Sequence, residues 1–178
     1  MTILYHGTQT VDSISIARSG AILSPLDVRI EMFEEALQDP NSSIYEFFRK
    51  FPDKTIEEYA LKTTCLSFGE HEIEHRLKSI SMARRVNTAT DYAMRFDYSF
   101  KKKRGEFIGG VVLGIDVDED RIEEFQRLVK SNGNTIYVPR RLDLDELREI
   151  HLSPMARKYH RAQIRHEFAR YYPRYFCL

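Results

Sequence analysis

Apolar positions along the chain change period several times, and those changes mark out its elements. Met1 to His6 read as a short apolar strand that stops at Gly7. Thr10 or Asp12 can cap a short helix in which Val11, Ile14 and Ala17 recur every three residues. Gly20 ends that helix, because glycine takes the left-handed conformation of a helix C-terminus without steric cost. Ile30, Phe33 and Leu37 form the next helical stripe, broken at Asp39-Pro40. Ser43 and Glu46 have capping-box spacing ahead of an apolar face made of Ile44, Phe47, Phe48 and Phe51. After Pro52, Thr55 with Glu58 can cap a third short helix carrying Ile56, Tyr59 and Ala60.

Strand character returns at Thr63 to Phe68. Gly69 to Arg85 fits either a helix through Ile73, Leu77 and Ile80 or a strand at Ser79 to Met82. Ala89 to Phe96 is helical in pattern, and the basic run Lys101 to Arg104 before Gly105 suits a loop. Phe107 to Val117 is the clearest strand, a β-branched run in which Gly109-Gly110 marks a bulge or a close backbone approach. Asp118 to Lys130 reads as a helix. Ile136 to Val138 and Leu147 to Leu152 read as strands, and Pro154 opens a last helix that Pro173 stops. Mixed helices and strands without a repeat predict an α+β fold.

Composition narrows the class. With 178 residues, 42% hydrophobic and 30% charged, the chain can bury a core and is expected to form a single domain, with 28–62 as a helical insertion. Its 27 basic and 27 acidic side chains cancel, which removes the argument from overall charge for a nucleic-acid partner but leaves room for a local basic patch. Two cysteines make no disulfide framework, no apolar run approaches the ~20 residues of a membrane span, and the N-terminus has no signal-peptide pattern. A cytoplasmic protein without a membrane partner is the expectation.

Two local patterns carry chemistry. His71-Glu72-Ile73-Glu74-His75 matches H-E-x-x-H, which on a helix sets two imidazoles one turn apart for zinc, with a glutamate to act on a metal-bound water. The charged Glu74 and the neighbouring Glu70 also suit a solvated acidic turn, so a zinc metallopeptidase is the weaker alternative and no metal ligand is assigned. In the final helix Met155, Tyr159, Ala162, His166 and Ala169 share one face, read as the core side. Arg157, Arg161 and Arg165 stack on the other, with Ile164 and Phe168 between them. His151 to Leu178 holds six Lys or Arg against one Glu. Such a face suits phosphate contact and base stacking, or is simply solvated; Lys101, Lys102, Lys103 and Arg104 add a second basic element.

A third pattern is distributed. His6-Gly7-Thr8 closes the first strand, Ala89-Thr90-Asp91-Tyr92-Ala93 lies on a helix behind an apolar strand, and Ile136-Tyr137-Val138-Pro139 comes late. In this order the chain resembles the ADP-ribosyltransferase superfamily, H-G-T type, which includes poly(ADP-ribose) polymerases, DNA-modifying toxins and RNA 2'-phosphotransferases. The resemblance spans most of the chain outside 28–62. It implies a split β-sheet core with flanking helices, NAD as substrate, and transfer of its ADP-ribosyl group, a glycosyl transfer. It also implies roles: His6 hydrogen-bonds a ribose hydroxyl, and Gly7 lets the nicotinamide amide reach the backbone. Tyr92 stacks on the ring, and Thr8, Ser81 and Arg84 complete the NAD side. Taken singly, His6 and Thr8 also suit an ordinary strand-end turn, and Tyr92 a core aromatic.

The chain departs from that family where the catalytic glutamate usually stands: counting back from Pro139, the position is Thr135. A hydroxyl can hold a ribose but carries no charge to stabilise a ribosyl cation. Two expectations follow. One is a transferase with a divergent site built on His6, Tyr92 and Thr135, using a nucleic acid or a protein as acceptor. The other is an inactive binding module of the same fold for NAD or ADP-ribose, nucleic acid or protein.

Overall fold

The computed structural model describes residues 2–65, 76–98, 108–120, 122, 135–171 and 175–177. The fold is α+β with a mostly antiparallel sheet. Its strands are β1 (Thr2–Gln9), β2 (Ala21–Leu23), β3 (Ser79–Ala83), β4 (Gly110–Val117), β5 (Thr135–Pro139), β6 (Arg141–Asp143), β7 (Leu147–Leu152) and β8 (Tyr175–Cys177). The helices are α1 (Thr10–Ser19), α2 (Pro25–Ala36), α3 (Ser43–Lys50), α4 (Ile56–Cys65), α5 (Val86–Met94) and α6 (Pro154–Glu167). Six strands form one sheet in the order β5-β3-β1-β4-β7-β8, and β2 pairs with β6.

The contacts divide the chain into two compact units. The first comprises Met1–Ile22, Ser81–Val138 and Leu142–Leu178. Its centre is β4, whose apolar run is buried on both faces as a strand flanked on both edges and covered by helices should be. β1 runs antiparallel to β4 from Thr2↔Val117 to Gln9↔Gly110, so the first strand passes through Gly7 instead of stopping there. On the far edge of β4, the register with β7 shifts between Gly114 and Ile115. The shift makes Arg148 the extra residue of β7, and its guanidinium reaches Asp116 at 3.5 Å and Glu146 at 2.7 Å. Leu4, Leu113, Ile115, Ile150, Ile164 and Phe168 are sealed from solvent, each worth about 1.5–3 kcal/mol relative to an exposed side chain.

α6 buries a different face from the expected one. Ala156, Ile164 and Phe168 are inside, while Tyr159, Ala162, His166 and Ala169 are exposed. Ile164 and Phe168, one turn apart, remove more apolar surface from water than the Tyr159 and Ala162 side can. α6 packs against α1, whose last carbonyls are capped from the chain's C-terminal region: Arg170 donates to Ala17 and Arg18, and the Tyr171 hydroxyl to Ala17 at 3.0 Å. Gly20 closes α1 in the left-handed conformation (φ 82°), its N–H bonded to Ile16.

The second unit, Leu23–Ile80 with Pro139–Arg141, holds α2, α3 and α4. Phe33, Phe47, Phe48, Phe51 and Tyr59 pack ring against ring, with Phe47 and Tyr59 centroids 4.3 Å apart. Arg140 clasps Asp27 through Nε and Nη2, and Glu57 stands 3.8 Å from the same guanidinium. Thr55 and Glu58 form a reciprocal capping box. At α3 the cap is Ser42, whose hydroxyl accepts from the Tyr45 N–H, one residue before the expected Ser43. α4 continues to Cys65, so Thr63–Cys65 is helical where a strand was expected. Among the described residues, no helix is long and apolar enough to cross a membrane.

Candidate functional site

A cleft of about 380 Å³ opens in the first unit between β1, β3, the Thr135 end of β5 and α5. Its lining includes His6, Gly7, Ser81, Tyr92 and Thr135, five of the residues singled out for an NAD site, together with Tyr5, Met82, Ala83, Thr88, Ala89, Asp91 and Arg95. The space exists because β1 and β3 part company. Among the described residues they are in register at one pair, Tyr5↔Ala83. Further along, the Ser81 carbonyl is taken by the His6 ring, whose Nδ1 lies 3.0 Å away.

That contact fixes the chemistry of His6. A carbonyl only accepts, so Nδ1 carries the hydrogen and donates it. Burial pushes the His6 pKa below the ordinary imidazole value, against the smaller opposing effects of the Ser81 carbonyl and the Asp12 charge. The ring is therefore neutral near pH 7, and Nε2 is left as an acceptor.

α5 forms the opposite wall. Ala89 and Ala93 are small enough to let the helix backbone settle onto the sheet, where they cluster with Ala83, Val112 and Tyr5. A Cβ at Gly7 would stand 2.5 Å from the Ala89 carbonyl oxygen, and one at Gly110 would stand 2.3 Å from that of Ala93. Gly7 thus serves helix packing as well as lining the cleft. With Ala89 and Ala93 turned to the sheet, Thr88, Asp91, Tyr92 and Arg95 form the stripe that borders the cleft. Tyr92 is 48% exposed, so it is not a core aromatic. Its ring stands edge-on to Phe96 (5.5 Å, 81°), and the Arg95 guanidinium lies 5.6 Å from its centroid.

Other expected site residues fall elsewhere. Thr8 is buried opposite Val111 in the ladder, outside the lining. Arg84 is exposed in the turn between β3 and α5 and does not border the cleft. Arg157, Arg161 and Arg165 are exposed on α6. Lys101, Lys102, Lys103 and Arg104 lie outside the described residues, as do His71–His75. Thr88, Asp91 and Arg95 border the cleft as well, although no motif in the sequence marks them as functional groups. The signal present is their spacing: they stand at four before, one before and three after Tyr92, the spacing of one helical face.

Comparison with protein-family models, with curated proteins and with solved structures finds no match to this chain.

Proposed function

We propose that the cleft binds the nicotinamide–ribosyl half of NAD and that the chain transfers the ADP-ribosyl group to an acceptor, on an ADP-ribosyltransferase-like core. The observation that carries this reading is the convergence of His6, Gly7, Ser81, Tyr92 and Thr135, far apart in sequence, on one cleft. The volume, about 380 Å³, lies in the range of small-ligand pockets and suits a heterocycle with its sugar. In this reading a ribose hydroxyl donates to His6 Nε2, the only ring nitrogen that Ser81 leaves free to accept. The Tyr92 ring supplies a flat face for the nicotinamide. The exposed arginines of α6 hold the phosphates of a nucleic-acid acceptor, which positions it without reading sequence.

Thr135 favours a second reading. At the edge of the cleft this position offers a hydroxyl in place of a carboxylate, which suits a module that binds NAD or an ADP-ribosyl group without cleaving it. Isothermal calorimetry with NAD, followed by label transfer from NAD to DNA, RNA and protein, separates the two. Binding that is lost in His6→Ala, with label appearing on nucleic acid, is the expected result. Binding without label on any acceptor supports the module. No binding of the wild-type chain to NAD or to ADP-ribose at millimolar ligand refutes both.

A further inference from the structure

Resting on the NAD reading, we infer that Asp91 is the catalytic carboxylate of the cleft, the base that takes the proton of the attacking acceptor. Asp91 is the only Asp or Glu among the described residues that line the cleft. It sits on the same face of α5 as Tyr92 and Arg95, and the register of that face is fixed by Ala89 and Ala93 against the sheet. Among the described residues, no hydrogen bond or ion pair engages its carboxylate, although Arg95 lies one helical turn away. Several carboxylates elsewhere in this unit are taken up in structure: Asp97 accepts from Ser153 and the Met155 N–H, Asp116 from Arg148, and Glu149 pairs with His151, while others such as Asp12 and Asp145 lie outside the cleft lining. A charge that is exposed to a cleft and committed to no protein partner is available to a ligand.

The chemistry asks for such a group. When the bond between the ribose C1' and the nicotinamide nitrogen breaks, its electron pair leaves with neutral nicotinamide and positive charge develops on the sugar. A hydroxyl or water then bonds to C1', and its proton passes to the Asp91 carboxylate and on to solvent. No other co-reactant is required. Thr135 cannot accept that proton, and the neutral His6 is turned to the ribose through Nε2 while its Nδ1 hydrogen is held by Ser81. Arg95, of opposite charge on the same face, is placed for the pyrophosphate.

The test compares wild type with Asp91→Asn, a change at an exposed position of the helix that keeps the fold, as circular dichroism and the melting temperature verify. Nicotinamide release from NAD, with water or nucleic acid as acceptor, should fall by about 10²–10⁴-fold in kcat, the range of general base catalysis, with NAD affinity within a few-fold of wild type. Asp91→Glu should recover part of the rate. A readout independent of turnover is the preference for NAD, whose nicotinamide ring is cationic, over NADH, whose ring is neutral; it should shrink in Asp91→Asn because the carboxylate shares the cleft with that ring. An Asp91→Asn variant as fast as wild type overturns the assignment while the NAD reading stands. So does wild-type protein that binds NAD but releases no nicotinamide. Failure of wild type to bind NAD removes both.

Discussion

Gly7→Ala tests the contact that makes the cleft wall. The added Cβ would lie 2.5 Å from the Ala89 carbonyl oxygen and 3.2 Å from Tyr92 Cδ1. Ordinary contact begins at 3.4 Å, so the backbone of α5 must retreat from β1 by roughly 0.9 Å, since a main-chain carbonyl cannot rotate away as a side chain can. A gap of ~0.5–1 Å forfeits a quarter to a half of the attraction of each contact it opens, and here those contacts join Ala89 and Ala93 to Tyr5, Ala83 and Val112. The expected cost is that of an overpacked core, about 1–3 kcal/mol. At this chain length each kcal/mol moves the melting temperature by ~2–4 °C, so Tm should fall by ~2–12 °C. Gly114→Ala is the internal control. Its Cβ would meet Glu149 Cβ at 3.0 Å and Tyr5 Cε1 at 3.1 Å, contacts that a movement of only a few tenths of an ångström relieves, so the loss should be smaller. Thermal unfolding monitored by circular dichroism measures Tm for both variants, and urea unfolding gives the loss in kcal/mol. A Gly7→Ala variant as stable as wild type, or more stable than Gly114→Ala, would refute the account of how α5 seats on the sheet.

Three further outcomes follow from the same structure. Ser153→Ala removes a hydroxyl that accepts from the Gly110 and Ala156 N–H groups and donates to Asp97; urea unfolding should show a loss of about 1–3 kcal/mol, and an unchanged midpoint would deny its role as the α6 cap. Acidification should destabilise the chain before its carboxylates titrate. The folded-state pKa values of His6 and His160 are lowered, chiefly by burial, so the unfolded chain binds more protons as pH falls through the unfolded imidazole value of ~6.5. Stability is lost from there down to the folded pKa values. His160 adds a geometric reason, because Nε2 accepts from the Ile108 N–H and cannot do so once protonated. Urea midpoints at pH 7.5 and pH 5 should differ by less in a His6→Gln, His160→Gln double variant, and an equal fall in both proteins would refute the linkage. Glu167→Gln, which breaks the exposed pair with Arg18, should cost no more than ~1 kcal/mol by the same unfolding measurement; a larger loss would show that the pair holds α6 to α1.

What was legible in the sequence depended on how much local pattern each feature carried. β4 announced itself through its β-branched run and paired glycines, and Gly20 and the Thr55–Glu58 box through capping chemistry. The three-residue strands β2, β6 and β8 were not found, since three residues are too short for alternation to register. The helix read at residues 10–19 begins at Thr10 with Gln9 at the cap position, and neither Thr10 nor Asp12 supplies a side-chain cap. Instead the Thr10 hydroxyl donates to Gly109, a tertiary contact 99 residues away in sequence that no local pattern could reveal. The same limit explains α6. Its composition offered two plausible apolar faces, and the choice was made by what the sheet and α1 had left uncovered.

The cleft was legible for a different reason, and its incompleteness is instructive. Motif residues were found because their order along the chain resembles a family pattern: His6-Gly7-Thr8 in the first strand, and Tyr92 within Ala89-Thr90-Asp91-Tyr92-Ala93 on a later helix. Asp91 and Arg95 are ordinary residues for a helix surface, and composition alone would assign them to water. Their significance comes from the small residues beside them. A helix rotates 100° per residue, so once Ala89 and Ala93 are pressed onto Gly7 and Gly110, the positions at 88, 91, 92 and 95 have no choice of direction. They border the space opened where His6 takes the Ser81 carbonyl out of the β1–β3 ladder. The alanine–glycine contacts, which carry no reactive group, therefore decide which charges border the cleft. Any substitution that rotates α5 should disturb Asp91 and Tyr92 together, even when neither residue is touched.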